Sequence, residues 1–307
     1  MAGARLLFII GTGRCGSTMT HEVLARHPDT GFISNLDANL PALNLRGRWN
    51  SGLLAFTPQA LTQRDSRVGP LVKLRARFGP AEAYALLNRH VSALLSESVR
   101  DLTAGDVTPP LRSRMMDFYE RRIAAQQKRV FLSKFSGWPR ARFLHEIFAD
   151  ARFVHVVRDG RGVAESMIRR PWWRGYMGPQ HWQYGPLSEE HERVWVGADR
   201  SYIVLAGLQW MMLMDAFDAA RAAIPSDRWL EVRYEDLVAD ARARFGEILA
   251  FAGLESTRAF DRRFAKYRFV PERRDAYRNR LTPDQLDALN EIMGEHLRAH
   301  GYDVAPR

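Results

Sequence analysis

An α/β fold is predicted here: a single P-loop-like domain whose central parallel β-sheet is flanked by helices on both faces. Three observations carry it. Short apolar runs of strand character alternate with longer stretches of helical periodicity along most of the 307 residues, the pattern of a parallel sheet covered on both sides. The first run, LLFII (6–10), feeds the glycine-rich octapeptide GTGRCGST (11–18), which opens into the helix-like TMTHEVLARH. A second strand, turn and helix, VVRDGRGVAES (156–166), repeats that arrangement farther on.

Each element has its own reason. LLFII, VFLSK (130–134), RFVHVV (152–157) and WLEVRY (229–234) are short and rich in β-branched and aromatic residues, which suits strands; GFIS (31–34) is a weaker fifth. Helical spacing appears at 18–27, 81–103, 113–128, 140–149, 161–170, about 199–223, 238–252 and 283–300. The last begins at TPDQL, a threonine N-cap followed by proline at the first helical position. Two regions break the alternation. Residues 35–80 and 171–198 are rich in Pro, Gly, Asn and Trp and read as insertions within one domain spanning 1–307. Insertions over about 35–128 and 171–198 are expected to wall the ligand pocket.

Composition excludes several classes. With 46% hydrophobic and 26% charged residues the chain is an ordinary globular protein, not a disordered or fibrous one. No apolar run approaches the ~20 residues of a membrane span. MAGARLLFII has an apolar part of only five residues running straight into the octapeptide, so it reads as a strand and not a signal sequence. The sole cysteine, Cys15, rules out an intramolecular disulfide framework and fits a cytoplasmic protein. Forty-five basic residues against 35 acidic ones give +10, which favours anionic ligands. The arginines are scattered among acids and not gathered in a tail, so nucleic acid is not the expected partner.

The octapeptide has the frame of a phosphate loop, G-x-x-x-x-G-[K]-[ST], with Ser17 where a triphosphatase carries lysine. Gly11, Gly13 and Gly16 let the backbone approach a phosphate closely, and its amides gather at a helix N-terminus. Ser17 and Thr18 add hydroxyls, and Arg14 adds a cation. Arg158 ends the third strong strand, Ser166 lies one to two turns into the next helix, and Lys134 ends VFLSK. Ligands of an open parallel sheet sit at the strands' carboxyl ends, so these segments are expected to converge. No strand ends in the aspartate that would hold magnesium for a triphosphate. The site therefore reads as built for phosphate groups without a metal.

GTGRCGST, ARFVHVVRDGRGVAES and RWLEVRYEDLVADARARFGEILAFAGL together resemble the sulfotransferase family that uses 3′-phosphoadenosine 5′-phosphosulfate (PAPS), in the branch of tyrosylprotein and many bacterial sulfotransferases. The resemblance spans residue 6 to HLRAHGY near the end and weakens over 37–128. It implies PAPS as co-substrate without a metal, and transfer of a sulfuryl group to a hydroxyl or amine of a small-molecule, carbohydrate or lipid acceptor. The loop residues Gly13, Arg14, Cys15, Gly16, Ser17 and Thr18 would hold the 5′-phosphosulfate, Arg158 and Ser166 the 3′-phosphate, and Tyr234 would lie by the nucleotide. Lys134 and Arg14 would stabilise charge on the leaving oxygen, although KFSGWP departs from the K-[TD]-P that relatives carry. The tyrosylprotein branch has a glutamate base shortly after a His-Pro pair. That position here is Asn35, so Asp37 is the expected base, with His21 and Glu22 as alternatives. Arg278 and Arg280 are further candidates for the 3′-phosphate, and the aromatic stretch 171–187 serves either as acceptor wall or as a hydrophobic plug. The competing readings are a P-loop kinase and a nucleic-acid binder.

Overall fold

The computed structural model describes residues 5–39, 45–55, 57 and 78–304. Most of the 35–80 insertion thus lies outside the described residues. Five strands, β1 (Arg5–Gly11), β2 (Thr30–Phe32), β3 (Val130–Ser136), β4 (Arg152–Val157) and β5 (Trp229–Arg233), form one sheet in the order β2-β3-β1-β4-β5. Every pairing is parallel. The order reverses at β1, which opens a crevice beyond its carboxyl end.

Alternation along the strands builds two apolar layers. Leu6, Phe8 and Ile10 of β1 join Phe131, Phe135 and Phe153 on one face. Leu7 and Ile9 join Leu132, Val154 and Val156 on the other. Successive side chains point to opposite sides of a strand, so a sheet covered twice needs unbroken apolar runs. Helices α1 (Ser17–Ala25) and, far along the chain, Ala241–Ala252 supply Val23, Leu24, Phe245, Ile248 and Leu249 to the second layer. The first layer is covered by Pro109–Gln126, Ala141–Ile147, Gly160–Ile168, Tyr202–Ala223 and Pro283–Ala299. Tyr202–Ala223 is long and apolar enough to cross a membrane by length and composition. However, 72% of its most apolar window is buried, because it packs between neighbouring helices.

Several boundaries differ from the sequence expectation. The helix over 81–103 is two short ones, Tyr84–His90 and Leu94–Glu97. Serine is the cause: the Leu94 amide donates to Ser92 Oγ and Ser96 Oγ donates to Asn88 Oδ1, bonds that compete with helix continuation. The next helix starts at Pro109 rather than 113, with proline in its first turn. Tyr234 opens the helix Tyr234–Ala239 instead of closing β5.

Candidate active site

The carboxyl ends of β1, β3 and β4 meet at a cavity of about 1100 Å³. Gly13 (φ 83°), Arg14 (φ 57°) and Gly16 (φ 99°) lie in the left-handed region, which turns the loop's amides toward a common centre. Helix α1 begins at Ser17, and its first turn holds no acidic side chain. Its N-terminal amides thus offer partial positive charge with no competing carboxylate. A Cβ at Gly16 would come within 2.5 Å of the Tyr234 ring, so the tyrosine packs directly on the loop.

Arg14 joins the two sequence motifs. Its Nε donates to Ser166 Oγ at 3.0 Å, while Arg158 donates to the Arg14 carbonyl at 2.9 Å. The Arg158 guanidinium lies 4.6 Å above the centre of the Tyr234 ring, and its Nε has no hydrogen bond among the described residues. Asp159, the adjacent carboxylate, does not neutralise it. Asp159 is held instead by Arg161 at 2.6 Å and by Tyr277 Oη at 3.0 Å, and it caps the helix Gly160–Ile168 through the Arg161 amide. Burial, then the charges of Arg170 and Arg158, lower the Arg14 pKa below that of an ordinary arginine.

Lys134 stands between the loop and Glu82. Its Nζ donates to Thr18 Oγ1 at 3.0 Å, to Ser136 Oγ at 3.3 Å and to the carboxylate of Glu82, with which it forms an ion pair. Ser136 Oγ also donates to Glu82 Oε1 at 2.8 Å. The departure from K-[TD]-P is thereby accommodated: β3 runs on through Ser136, and Gly137 (φ 87°) makes the turn with its amide on the Gly11 carbonyl. Tyr84, Trp138, Arg140 and Tyr184 line the cavity nearby. Burial raises the Tyr84 pKa and pushes Tyr184 up to about 12, so both phenols keep their protons at neutral pH.

Sequence reasoning overlooked Glu82. The segment before it crosses the end of β2, where Asn35 N bonds to the Gly79 carbonyl, Ala81 N bonds to the Ile33 carbonyl, and Ser34 bridges Pro80. That short antiparallel contact delivers Glu82 to the strand ends. In the sequence it reads only as the start of a helix.

Asp37 sits elsewhere. It is 3% exposed and does not line the cavity; its Oδ2 accepts from Ser34 N at 2.9 Å, Ser34 Oγ at 3.0 Å and Asn50 Nδ2 at 2.5 Å. Those bonds clamp the turn after β2, and the structure does not bring Asp37 together with Arg14, Lys134 and Arg158. His21 is 1% exposed with neither ring nitrogen bonded among the described residues, and burial together with Lys134 pushes its imidazole down to about 3. Glu22 faces Arg26 at 3.9 Å and accepts from Tyr267 Oη at 3.4 Å. Cys15 is fully buried in the apolar layer beneath the loop, against Gly11, so its backbone and not its thiol can serve an anion. Arg280 and Arg273 line the cavity while Arg278 does not. The aromatic stretch divides: Trp173, Trp182 and Tyr184 are buried, whereas Trp172 and Tyr176 are exposed.

Fold and site define a class: a P-loop α/β protein whose loop replaces the triphosphatase lysine with Ser17 and gathers arginines around one cavity. More particularly, the chain belongs to the sulfotransferase family, whose profile matches residues 7–258. It is 25% identical over 188 residues to the omega-hydroxy-beta-dihydromenaquinone-9 sulfotransferase Stf3 of Mycobacterium bovis and of Mycobacterium tuberculosis, covering 61% of this chain. The match spans 44% of those relatives' length. Among solved structures it superposes on sulfotransferase STF9 from Mycobacterium avium with a TM-score of 0.57 at 17% identity, over 100% of this chain and 79% of that one. The sulfotransferase domain of the Synechococcus PCC 7002 olefin synthase gives 0.51 at 18% identity, covering 100% of this chain and 98% of that one. These likenesses establish the P-loop-like α/β fold.

Proposed function

We propose that the chain is a PAPS-dependent sulfotransferase that moves a sulfuryl group to a hydroxyl or amine of a small-molecule, glycan or lipid acceptor, acting as one domain. The observation that carries this reading is the bridge from Arg14 to Ser166, which ties the phosphate loop and the second motif into one anion site. The residues present fit the donor. The loop amides, Arg14, Ser17 and Thr18 suit a phosphosulfate at the N-terminus of α1. Among the described residues Arg158 has a buried Nε without a partner and forms no ion pair, which suits the 3′-phosphate alongside Ser166. Tyr234, packed between Gly16 and Arg158, would lie beside the nucleotide. Bound there, PAPS supplies an activated sulfuryl group on a phosphate leaving group.

The remaining chemistry belongs to the chain's own side chains. Lys134 holds a cation between Thr18 and Glu82, where it can offset negative charge that appears only during transfer. Glu82, 31% exposed at its side chain, faces the cavity and takes the role expected of Asp37: it accepts the acceptor's proton. Ser136 orients that carboxylate. A kinase reading finds less support, because Ser17 cannot replace the triphosphate-binding lysine and Asp159 is committed to Arg161 and Tyr277. The relatives named for an omega-hydroxylated dihydromenaquinone favour an amphiphilic acceptor. The single buried thiol is in keeping with a cytoplasmic enzyme. Incubation with sulfur-labelled PAPS and a panel of phenolic, sugar and long-chain alcohol acceptors tests the proposal. Label should pass to at least one acceptor class without added metal. Phosphate transfer from ATP–Mg²⁺ in its place would overturn it.

A further inference from the structure

The segment after the helix Gly160–Ile168 has two sides. Inward, Trp173 is 2% exposed and its Nε1 donates to Gln209 Oε1 at 2.8 Å. Outward, Trp172, Tyr176 and Met177 are 54%, 64% and 49% exposed. Nine large hydrophobic side chains are exposed among the described residues, and three of them fall in this run of six. Packing of the interior explains Trp173 but leaves the outward set unexplained, and clustered exposed apolar groups mark interaction surfaces.

Charge tells what kind of surface meets them. From Ser166 to Ser188 the chain has no acidic residue, yet it carries Arg169, Arg170 and Arg174 beside the exposed aromatics. Arg169 is paired with Glu165 behind it, Arg170 donates to the Ser166 carbonyl, and Arg174 makes no ion pair among the described residues. Backbone bonds from Trp173 N to the Arg170 carbonyl and from Met177 N to the Arg174 carbonyl hold the turn. Tryptophan, tyrosine and methionine framed by arginines suit the boundary of an anionic bilayer, where the rings enter the headgroup layer and the guanidinium groups meet lipid phosphates. Arg169, Arg170 and Trp172 also line the cavity. We propose that the 169–177 turn docks on an anionic lipid surface, so that an amphiphilic acceptor passes from the bilayer into the cavity. The second half of this statement rests on the sulfotransferase reading; the docking does not.

The test is sedimentation of the full chain with phosphatidylcholine vesicles prepared with or without phosphatidylglycerol. The wild type should partition onto the anionic vesicles and hardly at all onto the neutral ones. Tyr176→Ser combined with Met177→Ser should weaken that partitioning by about tenfold, and Arg174→Gln by about fivefold. These positions are exposed, so both variants should keep the wild-type melting temperature. No partitioning of the wild type, equal capture by neutral vesicles, or unchanged partitioning of the Tyr176/Met177 variant would overturn the proposal. So would self-association through these residues in place of vesicle binding. The readout needs neither donor nor turnover, so failure here and failure of the sulfotransferase reading are separately visible.

Discussion

The two ends of the cavity are built on different plans. At the end proposed for the donor the groups come from contiguous stretches, 11–18 and 156–166, each a strand running into a helix, with positive φ angles in the first and a helix N-terminus in both. At the end proposed for the acceptor the groups come from positions far apart in sequence. Glu82 reaches Lys134 and Ser136 because a loop crosses the end of β2, and Tyr84, Trp138 and Tyr184 close around them. A site made of backbone constrains its local sequence tightly. Side chains brought to the strand ends by loops, such as Glu82 and Tyr84, can change while the sheet stays the same.

The largest effects should come from the groups that link the two ends. Lys134→Ala and Arg14→Ala should each lower turnover by ~100-fold or more at saturating donor, since the role proposed for each is to stabilise charge present only in the transition state. Glu82→Gln should cost ~100-fold or more as well while leaving affinity for 3′-phosphoadenosine 5′-phosphate (PAP) in place. A Glu82→Gln enzyme of full activity would dissolve the distinction between the two ends by moving the base elsewhere.

Asp37 offers the converse case. Asp37→Ala strands the Ser34 amide, the Ser34 hydroxyl and the Asn50 amide, so it should destabilise the fold by about 1–3 kcal/mol in denaturant titrations. Turnover per folded molecule should hold. A loss of turnover without loss of stability would return the base to Asp37.

Confined to acid, and to the stability of the fold, is the effect of His21. Its folded-state pKa, about 3, lies below the ordinary 6.5, so the unfolded chain binds the extra proton first. The associated stability is fully present above about pH 6.5 and falls as pH drops toward 3, by up to ~1.4 kcal/mol per pH unit. Buried His155, also depressed by burial, acts in the same direction. His21→Gln should flatten the slope of stability against pH by about one proton. Because Lys134 contributes to the depression, Lys134→Ala should narrow the window from its acid side. An unchanged slope in both variants would show that His21 is not held neutral by the fold.

These contrasts explain what the sequence disclosed. All five strands were legible, since a doubly covered parallel sheet needs runs such as LLFII and RFVHVV, and no other element of that length is so uniformly apolar. Arg14, Ser17, Thr18, Arg158 and Ser166 could be placed at one cavity because their spacing around a strand–helix turn has a local geometric meaning, Lys134 because it lies near the carboxyl end of a strand, and Tyr234 through the family resemblance. Asp37 attracted attention as the nearest carboxylate in sequence. Spatial proximity instead belongs to Glu82, delivered by the Ser34–Pro80 bridge, which leaves no local signature. The break in the helix at Ser92 was hidden for a related reason: periodicity continues across it, and only side-chain bonds interrupt the backbone.

The central claim is that this cavity recognises a nucleotide bearing a 3′-phosphate, and titration of wild type and Arg158→Ala with PAP and with 5′-AMP tests it most directly. PAP should raise the wild-type melting temperature well above the rise given by 5′-AMP, which lacks the 3′-phosphate. Arg158→Ala should weaken PAP by about tenfold to a hundredfold, the equivalent of ~1.5–3 kcal/mol, and should scarcely alter 5′-AMP. Equal stabilisation by the two nucleotides, or undiminished PAP affinity in Arg158→Ala, would contradict the account.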